Sequence, residues 1–320
     1  MKKINLFFFG ISKLGLGILN IAYKESGFNI IGAIGKKNKK KHADKYESIL
    51  VKFCESKNIK YFNSLNKVKK IIKKNSLGII GGYDGILKDE LIKIFDLGIY
   101  NIHFGEIPKV RGCNPTIWSI LMGNKAAYTL YKINSKIDYG NIVKIEKYKI
   151  KSEESSYDIY NKLTKLSLMR FRKFLIAIKK NKIKFIKASL NRKKNNYFRK
   201  FLPNNCYISW NWKNEFIYDF SRSLFFPGYK PARTKIGRFD VYLNISKIFN
   251  KKFTTYIRPG TILKINRNKI KIKTKYGYVN AETIKVYKNL KVGYCFELYK
   301  NKNYPYYINF NFVGKKLKKF

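Results

Sequence analysis

The apolar residues of the first half of the chain come in short blocks. Ile4 to Phe9 is one such run and ends at Gly10, after which Leu14, Ile18, Ile21 and Ala22 recur at helical spacing. This reads as a buried parallel strand, a glycine turn and a helix. Phe28 to Ile34 supplies a second strand, a lysine-rich loop follows, and Ile49 to Ser56 has the pattern of a second helix. A third step runs through Tyr61 and Phe62, a helix over Val68 to Ile72, and a strand over Gly78 to Ile80. Strands alternating with helices predict a parallel sheet with right-handed crossovers.

From Ser152 the pattern changes. Ser152 can cap a helix whose first turn carries Glu153 and Glu154, with Ile159, Leu163, Leu166, Phe171, Phe174 and Ile178 as its buried face. Leu190 to Lys200 is rich in Asn, Arg and Lys and reads as a linker. Beyond it, Phe239 to Ile245, Thr261 to Ile265, Lys269 to Lys275 and Tyr278 to Ile284 are short β-rich runs between Gly and Asn turns, which predicts a small antiparallel barrel. The expected fold class is therefore α/β, a Rossmann-like parallel sheet domain over residues 1–189, joined by a linker at 190–202 to a small β-rich, OB-like barrel over 203–320.

Composition narrows the picture. With 45% hydrophobic and 16% aromatic residues, the chain can pack two cores despite its charge. The opening apolar run is far too short for a membrane span or a signal sequence, so a cytoplasmic location with no membrane partner is expected. Cys54, Cys113, Cys206 and Cys295 lack the spacing of a zinc site or a disulfide framework and read as reduced thiols. The net charge of +50 invites a polyanion partner. Yet the lysines are spread along the whole chain among many Asn and Ile, as AT-rich codon usage produces. Runs such as Lys36 to Lys41 and the tail 315–319 read as solvated loops and ends. Gly10 to Gly15 is not a G-x-G-x-x-G fingerprint, which argues against a dinucleotide site.

There are only two histidines, and His42 lies in the basic loop. His103 closes the apolar stretch Leu97 to Ile102, at the carboxyl end of an expected strand, where open α/β sheets place their sites. A lone histidine is more often structural than catalytic, but here Asn101 lies two residues away and shares its face of the strand. The loop from Pro108 to Pro115 follows, and farther on Asp138-Tyr139-Gly140 places a carboxylate on a turn between strands.

Taken together, Asn101-Ile102-His103, Pro108-x-x-Arg111-Gly112, Pro115-x-x-Trp118, Thr129-Leu130 and Ile137-Asp138-x-Gly140-Asn141-Ile142 resemble the folate-dependent formyltransferases. That family includes methionyl-tRNA formyltransferase, glycinamide ribonucleotide formyltransferase and enzymes that formylate amino sugars on nucleotide carriers. The resemblance implies catalysis by Asn101, His103 and Asp138, with 10-formyltetrahydrofolate as co-substrate and no metal. It implies a pterin pocket along Tyr83, Gly85, Ile86 and Leu87 and at Asp138 to Gly140. Phe104-Gly105-Glu106-Ile107 departs from the family's usual serine and two apolar residues, and Glu106 is expected to face solvent.

Ile208-Ser209-Trp210, Ser221 to Leu224 and Arg258 to Ile262 resemble the family's carboxy-terminal module, which the purine enzyme lacks. The acceptor favoured by Phe226 to Ala232, and by the short loop Gly35 to His42, is a nucleotide-linked amino sugar. Initiator Met-tRNA is the alternative, and a non-enzymatic nucleic-acid-binding protein is the third reading. The expected partners are thus a small-molecule folate and one anionic acceptor, with a homodimer left open.

Overall fold

The computed structural model describes residues 3–35, 44–123, 125–186, 196–198 and 201–297. The basic loop Lys36–Lys41 with His42, most of Leu190 to Lys200, and the tail 315–319 lie outside the described residues. The chain divides into two compact units, Met1–Gly112 with Ala127–Tyr148 and Tyr160–Tyr197, and Cys113–Ala126 with Lys149–Ile159 and Phe198–Phe320.

The first unit opens with β1 (Ile4–Phe9), α1 (Lys13–Lys24), β2 (Phe28–Ile34), α2 (Asp44–Ser56), β3 (Tyr61–Phe62), α3 (Leu65–Lys69) and β4 (Ser76–Ile80). It continues through α4 (Asp89–Lys93), β5 (Ile99–His103) and β6 (Val110–Gly112), and after α5 (Pro115–Leu121) come β7 (Lys125–Lys132) and β8 (Asn141–Lys149). Seven strands form one sheet in the order β3-β2-β1-β4-β5-β7-β8. The pairs β2/β3, β1/β2, β1/β4 and β4/β5 are parallel, as the block pattern predicts, whereas β5 and β7 run antiparallel. Leu6 to Phe9 are fully buried because a parallel strand in the middle of a sheet is covered on both faces.

The strand order reverses between β1 and β4, and ligands of open α/β sheets bind beyond the carboxyl ends at such a point. There the turn after β1 is packed hard against the end of β4. Ser12 caps α1 by accepting from the Gly15 N–H at 3.0 Å, and its hydroxyl donates to the Gly81 carbonyl at 3.1 Å. A side chain on Gly10, whose φ is +134°, would run into the Gly81 carbonyl, so the position requires glycine.

In the long helix α6 (Ser156–Lys179) the capping residue differs from the expectation. Asp158 N–H donates to Ser155 Oγ at 3.2 Å while the Ser155 N–H and hydroxyl both donate to the Asp158 carboxylate, a reciprocal capping box. Ser152 instead bonds Glu153, and so the helix starts a turn later than the acidic pair suggested.

Within the expected linker, Asn196–Phe198 forms a short strand, β9. Phe198 is buried and stacks on Trp118 at 4.1 Å, an anchor that a polar composition concealed. The second unit holds α7 (Asn214–Ser223), whose Phe216 and Phe220 pack with Trp212, and β10 (Arg233–Ile236), β11 (Phe239–Asn250), β12 (Ile262–Asn266), β13 (Lys269–Thr274) and β14 (Gly277–Thr283). These five strands pair antiparallel in the order β10-β11-β14-β13-β12.

The two edges of that sheet are joined by a stretch without strand pattern. Ile262 N–H donates to the Tyr294 carbonyl and Phe296 N–H to the Gly260 carbonyl, on the β12 side. On the β10 side Glu297 N–H donates to the Lys235 carbonyl at 2.8 Å. Residues 294–297 therefore bridge the two edges and close the sheet into a barrel.

Among the described residues no helix is long and apolar enough to cross a membrane.

Candidate active site

Asn101 and His103 lie on β5, and the antiparallel register of β5 and β7 sets Asn101 opposite Tyr131 and His103 opposite Thr129. Because side chains alternate along a strand, these four share one face of the sheet. Thr129 accepts from the Ile107 N–H at 3.2 Å and donates to the Gly105 carbonyl at 2.6 Å, which ties down the loop after His103. The loop closes on itself where the Val110 N–H donates to the Glu106 carbonyl at 2.8 Å.

That closure aims the Val110 carbonyl at His103 Nε2, 3.0 Å away. The other ring nitrogen, Nδ1, faces Asp138 Oδ2 at 3.7 Å, an ion-pair separation longer than a hydrogen bond. Both nitrogens of this buried ring therefore look at oxygen acceptors, and a doubly protonated imidazole offers an N–H to each. Asp138 sits on the turn between β7 and β8 with φ at +48°, a left-handed conformation that aspartate tolerates better than most residues. Its Oδ2 accepts from the Gly112 N–H at 2.7 Å and its Oδ1 from the Tyr131 hydroxyl at 2.7 Å. Asn101 Nδ2 in turn donates to the Tyr131 oxygen at 2.9 Å.

Asn101, His103 and Asp138 thus meet in one network. It is completed by Thr129, which the sequence motif contained without a role, and by two groups that sequence reasoning missed, Tyr131 and the Val110 carbonyl. The signal for Tyr131 was present, since Thr129 and Tyr131 repeat the two-residue spacing of Asn101 and His103. A tyrosine inside an apolar strand reads as core until its partner strand is known.

The expected pterin residues gather only in part. Tyr83 is half-buried with its ring 5.9 Å from Phe9, and burial, assisted by Asp84, pushes its hydroxyl up to about 12. Leu87 is buried in the same cluster, and Gly85 lies so close under the Tyr83 ring that a side chain there would strike it. Ile86, at 63% exposure, faces away from this core. Gly140 is half-buried, and a side chain on it would collide with the Lys132 carbonyl. Ile133 packs both on the cluster of Tyr83 and Leu87 and on that of Tyr131, and so connects the two candidate patches.

Glu106 is not the solvent residue expected. Its carboxylate is 17% exposed and bonds Lys109 at 2.7 Å and Lys147 at 3.3 Å. Burial works against its charge, but the two ammonium groups outweigh it and hold the carboxyl below the usual range. Among the described residues no three His, Cys, Asp or Glu side chains gather as a metal site.

The tight fit of the loop yields a prediction. A methyl group on Gly105 would overlap the Val110 carbonyl and come within 2.6 Å of His103 Nε2. Gly105→Ala is expected to displace the imidazole and lower kcat by about 100-fold, since shifts of an ångström at a site carry that effect. Steady-state rates of the variant check this, and a kcat within threefold of the unaltered protein would contradict it.

The family model for formyl transferases matches residues 2–171. Over 219 residues the chain is 33% identical to the bifunctional polymyxin resistance protein ArnA of Wigglesworthia glossinidia brevipalpis, which covers 68% of this chain and 32% of that longer protein. It is 27% identical over 289 residues to a methionyl-tRNA formyltransferase of Prochlorococcus marinus, covering 82% of this chain and 86% of the relative. Among solved structures, WlaRD, a sugar 3N-formyl transferase crystallised with dTDP and 5-N-formyl-THF, superposes with a TM-score of 0.69. That match has 22% identity and spans 89% of this chain and 99% of WlaRD.

Proposed function

Because the chain belongs to the formyl transferase family, we propose that it moves the formyl group of 10-formyltetrahydrofolate onto the primary amine of a nucleotide-linked amino sugar. The observation that carries this reading is the convergence of one amide, one imidazole and one carboxylate at the end of β5.

The chemistry asks for those groups. A neutral amine attacks the formyl carbon, and the tetrahedral intermediate bears negative charge on oxygen and positive charge on nitrogen. Asn101 donates to that oxygen, and protonated His103 does so by turning its Nε2 N–H from the Val110 carbonyl onto it, a stabilisation worth ~3 kcal/mol per donor in related oxyanion sites. Asp138 holds the imidazolium and, directly or through a water, takes the proton leaving the new amide nitrogen. The bond from the formyl carbon to folate N10 then breaks, the proton taken from the amine passes from Asp138 to N10, directly or through a water, and tetrahydrofolate departs. Tyr83, Gly85, Leu87 and Gly140 are the proposed contacts of the pterin, with Ile86 at its rim.

The sugar acceptor is supported by the segment Phe226 to Ala232 and by the short basic loop before α2, which lacks a Gly/Arg-rich pattern. Met-tRNA is the second reading, favoured by the near full-length match to methionyl-tRNA formyltransferase and by the net charge of +50. The proposed division of labour keeps the chemistry in residues 1–189 and leaves 203–320 as the carboxy-terminal module. A cytoplasmic location fits a folate-using enzyme.

The test is incubation with 10-formyltetrahydrofolate and either a dTDP- or UDP-linked amino sugar or charged initiator tRNA, with mass spectrometry of the products. The formylated sugar is expected. Modification of the tRNA alone would overturn the acceptor, and modification of neither would overturn the transfer.

A further inference from the structure

We infer that Tyr131 is a positioning residue for the transfer proposed above, on which the inference rests: its hydroxyl orders the hydrogen bonds of Asn101 and Asp138.

The proton count decides the polarity of the network. A phenol carries one hydrogen, and the Asp138 carboxylate can only accept, so the Tyr131 hydrogen goes to Asp138 Oδ1 at 2.7 Å. The phenol oxygen is then left as an acceptor, and Asn101 must present its Nδ2 to it, at 2.9 Å. This chooses one of the two orientations of the Asn101 amide. One Nδ2 hydrogen is spent on Tyr131, the other remains for a ligand oxygen, and Oδ1 is turned to the opposite side. With a phenylalanine at 131 the amide could flip and offer an acceptor where the transition state needs a donor.

Asp138 is held at both oxygens, Oδ1 by Tyr131 and Oδ2 by the Gly112 N–H, with His103 Nδ1 on the same Oδ2. The groups facing the carboxylate are thus His103 from β5, Tyr131 from β7 and the Gly112 amide from β6, with Arg111 and Lys136 each 5.5 Å from the ring of neighbouring Tyr139. Loss of the Tyr131 hydrogen bond frees the carboxylate to rotate about its remaining contacts, and the imidazole follows.

The ring of Tyr131 is 2% exposed and packs on Ile107 and Ile142, with Ile133 and Ile145 around them. Burial, and next the charge of Asp138, raise its ionisation well above the usual range. The group is therefore a fixed neutral donor and acceptor that keeps its proton. The apolar cluster accepts phenylalanine without a change in volume, so Tyr131→Phe separates the role of the hydroxyl from that of the ring.

The expected result for Tyr131→Phe is a kcat about 10- to 100-fold lower, with KM for folate and acceptor within about threefold and cooperative unfolding retained. His103 and His42 are the only histidines, so the ring-nitrogen signals of His103 can be followed by NMR, and they should shift in the variant. A kcat within twofold of the unaltered protein with unmoved His103 signals would overturn the inference, as would loss of cooperative unfolding, which would make the hydroxyl structural. An unaltered protein that formylates neither acceptor would instead sink the proposed function. The NMR comparison needs no turnover and still tests the network in that event.

Discussion

With His103 replaced by alanine, kcat for formyl transfer is expected to fall by about three orders of magnitude. Removing one donor to a developing oxyanion costs about 100- to 1,000-fold, and the same substitution strips Asp138 of the ring it orients. His103 is buried at 8% exposure between the Val110 carbonyl and the Asp138 carboxylate, and its truncation leaves both acceptors without the ring that faces them. The fold should survive, because Asp138 keeps the Gly112 N–H and the Tyr131 hydroxyl as partners. Asp138→Asn should show a comparable loss, and the double variant little more than either alone, as groups that act as one unit are not additive. Single-turnover rates with mass-spectrometric product detection measure all three. If His103→Ala turns over within tenfold of the unaltered protein, the imidazole has no part in the chemistry.

The second large effect concerns stability. Trp210→Ala is expected to destabilise the second unit by about 3–5 kcal/mol, the range for removal of a buried large aromatic. Trp210 is fully buried, stacks on Phe296 at 6.0 Å, and donates from Nε1 to Thr234 Oγ1 at 3.1 Å on β10. Its carbonyl accepts from Lys275 at 2.9 Å, and Gly260, at φ +98°, approaches its indole so closely that a Cβ there would sit 3.0 Å away. One side chain thus touches β10, the glycine that leads into β12 and the segment that closes the barrel. Alanine would leave a cavity at the seam of the barrel and a buried Thr234 hydroxyl without its donor. Equilibrium urea unfolding followed by circular dichroism gives the number, and a loss below about 1 kcal/mol would show that the seam holds without the indole.

Much of the first unit was legible in the chain. A strand covered on both faces must be apolar throughout, which marks Ile4 to Phe9 and Gly78 to Ile80 without reference to anything distant. A two-residue spacing on a strand places Asn101 and His103 together by geometry alone. The cap of α6 was misread because Ser152 stands directly before Glu153 and Glu154, whereas the acidic partner of Ser155 lies three residues on, at Asp158. The choice between them depends on the reciprocal bond of Asp158, which a first-turn charge count does not see.

Asn101, His103 and Asp138 were singled out as candidates from local spacing and resemblance, and the barrel strands were read from their runs between Gly and Asn turns. Which partners those residues would find depended on contacts between residues far apart in sequence. The antiparallel register of β5 and β7 decides that Tyr131 faces Asn101, and a slip of one residue would put it on the opposite side of the sheet. The loop from Phe104 to Val110 decides which carbonyl meets His103. A stretch with no strand pattern, Tyr294 to Glu297, closes the barrel through backbone groups that every residue carries, whatever its side chain. Hydrophobic period and residue type are properties of a segment and can be read in order along the chain. Register, hydrogen-bond polarity and closure belong to pairs of segments, and they take a single value only once both members are packed.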